Sequence, residues 1–200
     1  DTFHASGAHT LGFPGPFHIG AFGPGLAPDS RGIFANNPVV LASGTAPLLG
    51  PAAKDHRLTD LVFRPASPGS GALIQAAYRV EQLLLSRLRL EGFNMAVCLH
   101  HDLIQYFNIE PHDQVAVADC LFSSIDGKAD VVFYTGGRRL AFLGNRFENL
   151  EGDYTHLLRV TYADQAVIAK NTFKSNRGSR HCIKLHRSEE RRVGKECRSR

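Results

Sequence analysis

Tryptophan is absent from the 200 residues, methionine occurs once and cysteine four times. No run of about 18 apolar residues is present, so no membrane-spanning helix is expected and no membrane partner is assigned. The cysteines Cys98, Cys120 and Cys182 stand 22 and 62 residues apart, which matches no zinc motif. Each falls in an apolar strand pattern, where a free thiol serves as a small buried hydrophobe. A glycine-rich phosphate loop, a serine nucleophile elbow and an HExxH pair are missing too, which removes several common enzyme classes. The chain opens at Asp1 with no basic and apolar leader before it, and reads as a fragment edge or a processed end.

Charge of one sign is also scarce. The formal net charge is +4, but residues 187–200, RSEERRVGKECRSR, carry six basic and three acidic side chains. The other 186 residues hold 17 basic and 16 acidic groups, so the basic balance that would favour a nucleic-acid partner lies in the tail. That tail breaks every pattern upstream and resembles translated adapter or vector sequence; it is expected to be disordered and non-native. Cys197 belongs to it.

What is present is a repeat. Residues 1–55 are rich in Gly and Pro, as in GFPGPFHIGAFGPG at 12–25, and admit only short strands such as PFHIGAF and PVVLA between turns. They are expected to wrap as early coils on the core built by residues 56–186. There LTDLVF, LLLSRLRL, VAVADCLF, LAFLGNRF and AVIAKNTF align on Phe63, Leu90, Phe122, Phe147 and Phe173, at intervals of 27, 32, 25 and 26. Two positions earlier stand Leu61, Leu88, Cys120, Asn145 and Asn171. Each segment is followed by a second short apolar strand: GALIQAA, MAVCLH, ADVVFYT, THLLRVT and RHCIKLH.

A period of roughly two dozen residues suits one turn of a parallel β-helix, with equivalent residues about 4.8 Å apart along the ladder. The Phe column is then an internal stack, and the two Asn side chains form a ladder that satisfies corner backbone groups. Residues 72–92 also fit a helical face, through Leu73, Ala76, Ala77, Val80, Leu83, Leu84 and Leu88. The alternation of Leu88 and Leu90 with Arg87 and Arg89 favours strand instead. The fold class expected is all-β: a right-handed parallel β-helix with coils of about 25 residues.

FLGNRFENL (142–150), VIAKNTFKSN (167–176), DHRLTDLVF (55–63) and FHIGAFGPGLAPD (17–29) resemble the pectin-lyase-like, right-handed parallel β-helix superfamily. That resemblance implies a secreted or cell-surface, carbohydrate-active protein. Its fold hosts lyases, hydrolases and esterases, but also adhesins and tailspikes, so the chemistry has to come from a site.

In HCIKLH, Ile183 and Leu185 suit the core, which turns Lys184 and His186 outward. Arg159 and Tyr134 precede Lys184 by one and two steps of 25 residues, with His100 or His101 beyond. Such cations would neutralise the carboxylates of an acidic sugar chain laid along the axis. The resemblance implies a polysaccharide lyase in which Lys184 or His186 is the base, Arg159 clamps a uronate carboxylate and Tyr134 carries a proton. The longest interval holds HHDLIQYFNIEPH (100–112), whose His100, His101 and His112 are candidate substrate contacts on a loop over the groove.

Isolated cations on a solvated sheet face also simply discourage edge pairing, so a non-catalytic glycan-binding β-helix stays open as the alternative. No cofactor is assigned. Calcium needs clustered carboxylates, whereas Asp119, Asp130 and Asp153 fall on different corners. A glycoside hydrolase of the polygalacturonase type ranks second, since its paired aspartates and Gly-His-Gly are missing.

Overall fold

The structure is a computed structural model that describes residues 2–6, 14–21, 37–43, 54–66, 72–76, 79–93, 95–99, 111–123, 126–127, 131–152, 156–175 and 181–186. Among these residues every regular element is a strand and every strand pair is parallel. One sheet runs β1 (Thr2–Ser6), β3 (Val39–Ser43), β5 (Val62–Pro65), β8 (Arg89–Glu91), β11 (Leu121–Ser123) and β14 (Arg146–Gly152). On β14 also lie β12 (Asp126–Gly127) and β16 (Thr172–Ser175). The other runs β17 (His181–His186), β15 (His156–Ala169), β13 (Val131–Leu143), β10 (Asp113–Ala118), β7 (Glu81–Ser86), β4 (Lys54–Thr59) and β2 (Pro14–Gly20). Alongside β13 in that sheet, β9 (Met95–Leu99) pairs with it and β6 (Ala72–Ala76) pairs with β9. The architecture is a parallel β-solenoid, and residues 72–92, which also fit a helical face, form β6, β7 and β8. The right-handed sense is the one that parallel crossovers take.

β13 and β15 are long because each covers two faces of a coil in succession. The first half of β13 pairs with β9 and its second half with β10. Between them the register slips at Gly136/Arg138, which is the corner. Gly137 is required there: its φ is +135°, and a Cβ would stand 2.2 Å from the His112 carbonyl oxygen.

The interior follows the repeat. Phe63, Leu90, Phe122, Phe147 and Phe173 are successive register partners. The rings of Phe122 and Phe147 stack at 4.6 Å and 16°, and those of Phe147 and Phe173 at 4.9 Å and 15°. Phe133 meets both Phe122 and Phe142 edge to face and fills the space between sheets.

The corner before this column turns on a single left-handed residue in each coil: Asp60, Arg87, Asp119, Gly144 and Lys170 all have positive φ. Directly after it comes the ladder. Asn145 Oδ1 accepts from the Cys120 amide at 3.0 Å, and Asn145 Nδ2 donates to the Val117 carbonyl at 2.9 Å. Asn171 Oδ1 accepts from both the amide and Nδ2 of Asn145, and Asn171 Nδ2 donates to the Phe142 carbonyl at 2.8 Å. Cys120 continues the ladder: its thiol donates to the Leu85 carbonyl at 3.5 Å, the equivalent carbonyl one coil earlier. Burial pushes that thiol up to about 12, so it is a packing group rather than a nucleophile. Cys182 is half-buried.

Within residues 1–55 the described parts supply β1, β2 and β3, each laid parallel on a strand of the next coil. Residues 187–200, expected to be a disordered tail, lie outside the described residues.

Candidate functional site

The first face of the coils, formed by β6, β9, the leading halves of β13 and β15, and β17, carries the candidate residues. Its inward positions are Ile74, Val97, Phe133, Leu158 and Ile183, in register with one another. The next register column is Gln75, Cys98, Tyr134, Arg159 and Lys184, and alternation places Tyr134, Arg159 and Lys184 on the outward phase of their strands. Tyr134, Arg159 and Lys184 stack as neighbours, as their spacing of 25 predicts. Cys98, not His100 or His101, takes the place beside Tyr134. Those two histidines lie outside the described residues. Two residues along from Lys184, His186 pairs in register with Thr161.

The Arg159 guanidinium lies 4.8 Å from the centroid of the Tyr134 ring. A cation over an aromatic face gains roughly 0.5–2 kcal/mol, which holds the planar group in place. Tyr134 is only 6% exposed. Its ring is a seat for Arg159; a proton-carrying role is what the resemblance implies for it.

Two polar atoms here have no partner among the described residues. Arg159 Nε and Thr161 Oγ1 are both buried without a hydrogen bond. An unmet buried donor costs about 1–3 kcal/mol, so two on one outward strand segment mark a place for an acceptor. Thr161 is the residue that sequence reasoning passed over. Its signal was available, as a hydroxyl two positions after Arg159 and one coil before His186, but a Thr in a strand is ordinary.

His112 stands elsewhere. It is 1% exposed and sits in the corner between the first and second faces. Its Nδ1 accepts from the Val80 amide at 2.9 Å, and its carbonyl accepts from the Arg138 amide at 2.8 Å. An imidazole so placed bridges two coils, and the expected contact with a ligand over the groove is not open to it. The rest of the 100–112 segment, residues 100–110, lies outside the described residues.

Among the described residues no three His, Cys, Asp or Glu side chains come together as a metal-ligand set. The outward column carries cations instead, which favour an anionic ligand over a metal ion. The chain matches no family model, no curated protein and no solved structure.

Proposed function

We propose that the chain is a carbohydrate-active β-helix protein, a lyase that cleaves an acidic, uronate-containing polysaccharide outside the cell or at its surface. The observation that carries this reading is the outward stack of Arg159 and Lys184, with Arg159 seated on Tyr134 and both its Nε and the Thr161 hydroxyl buried without an acceptor among the described residues. A carboxylate supplies that acceptor and the opposite charge together. The resemblance of 142–150 and 167–176 to the pectin-lyase-like superfamily points to the same class of substrate.

In this reading Arg159 neutralises the uronate carboxylate, which acidifies the proton on the adjacent carbon. Lys184, or His186, takes that proton. The electron pair left behind forms a carbon–carbon double bond as the glycosidic oxygen departs, which leaves an unsaturated uronate at the new end. No water is added, so the reaction differs from hydrolysis in its product.

The test incubates the full chain with a panel of acidic and neutral polysaccharides and follows the ultraviolet absorbance of unsaturated uronate. A rise with a uronate polymer supports the lyase. Chain shortening without that absorbance indicates a glycoside hydrolase. Binding without any product supports the alternative, a glycan-binding module.

A further inference from the structure

The N-terminal end of the longer sheet contains a buried histidine outside the candidate site. His56 on β4 occupies an inward position, in register with Phe17 on β2 and Leu83 on β7. It is 1% exposed, and its Nδ1 has no hydrogen-bond partner. The Phe17 ring covers it at 5.8 Å between centroids, yet Phe17 is itself 38% exposed. Among the described residues β2 is the last strand of its sheet and is held on one side only, by β4. Its fit there is close: a Cβ on Gly15 would stand 2.3 Å from the Lys54 carbonyl oxygen.

We propose that β2 is an acid-released cap, held over His56 while the imidazole is neutral and freed when it is protonated. A cation at an inward position among Leu58, Leu83 and Phe17 is taken out of water, and its Nδ1 finds no acceptor among the described residues. The nearest relief is to lift β2, because a terminal strand opens at less cost than any strand paired on both sides. The charged and titratable groups on the packed elements do not offset this. Lys54 pairs with Glu81 of β7, Arg57 pairs with Asp55, and His18 of β2 meets the Thr59 hydroxyl at 2.9 Å. Only Asp55 favours the charged ring, and burial outweighs it, which holds the imidazole below its ordinary value of 6.5. The sign follows. The opened state binds a proton more readily than the closed one, so opening grows as pH falls through the ordinary value. For one proton the gain is up to about tenfold per pH unit.

Hydrogen exchange of the β2 amides, corrected for intrinsic rates, reads this directly between about pH 7.5 and about pH 5. Protection of residues 14–20 is expected to fall on acidification while that of β10 and β13 holds. His56→Leu, which keeps the position apolar, should flatten the β2 profile, and His18→Gln should leave it pH-dependent. Gly15→Ala should loosen β2 at every pH. A parent profile that is flat, or one that survives His56→Leu, overturns the proposal. Should His56→Leu not fold, an imidazole titration of the parent decides: a His56 that protonates at its ordinary value while β2 stays protected overturns it equally.

Discussion

Phe147 has a ring on each side, Phe122 at 4.6 Å and Phe173 at 4.9 Å, and so has no neighbour able to fill its place. Phe147→Ala is expected to cost about 3–5 kcal/mol in a denaturant titration, by lost burial and by the cavity left between two rings. Asn171→Leu tests the other interior column. It increases hydrophobicity but strips the Asn145 amide and Nδ2 of their acceptor and the Phe142 carbonyl of its donor. Destabilisation of at least about 1–3 kcal/mol follows. A variant as stable as the parent would show that the ladder contributes nothing. The Phe column was legible because a large ring recurs in one phase of the strand. The Asn pair was legible because a polar residue two positions before an inward Phe is also inward.

Between elements, ion pairs tie one coil to the next. Arg87 grips Asp60 through two nitrogens at 2.5 and 2.8 Å, and Arg139 grips Asp113 in the same bidentate way. Burial alone would raise the Asp60 carboxyl, but the hydrogen bonds from Arg87 and Thr59 and the Arg87 charge outweigh it and hold it low. The Asp113 carboxyl is held low by the Arg139 hydrogen bonds, against a smaller effect of burial. Both folded-state values lie below the ordinary 3.8, so this stability is present above that value and is lost as pH falls through the folded ones. Thermal melts should therefore decline below about pH 4, and Arg139→Gln should make that decline shallower. An unchanged acid limb in the variant would assign the decline to other groups. None of these pairs was read from sequence, because each partner is set by register across coils and not by local spacing.

At the scale of the whole molecule, the outward column on the first face is tested by substitution. Arg159→Ala removes the charge that stabilises developing negative charge on the uronate, a loss of about 10²–10³ in rate. Lys184→Ala removes the leading base, a loss of about 10²–10⁴. Both side chains project away from the interior columns, so melting temperature should change little. A double variant that depolymerises uronate polymer as fast as the parent rules out this site. Thr161→Val adds a distinguishing readout: weaker substrate binding with the fold intact is expected if its hydroxyl meets the carboxylate.

The strand phase, the coil period and the inward columns were determined by the sequence itself. A residue's side of a strand depends on parity, and a solenoid repeats that parity in every coil. So the columns Phe63 to Phe173, Asn145 with Asn171, and Arg159 beside Lys184 follow from the sequence pattern alone. What only the tertiary structure decided is which outward side chains remain bare. Val132 and Leu157 fall on the outward phase of their strands, yet both are 0% exposed and belong to the core, whereas Leu143 and Val167 on the second face stand open. The same packing puts Tyr134 beneath Arg159, encloses His112 in a corner and leaves Thr161 without a partner. Periodicity reports the direction of a side chain, but its exposure depends on what packs against that face, and that comes from contacts distant in sequence.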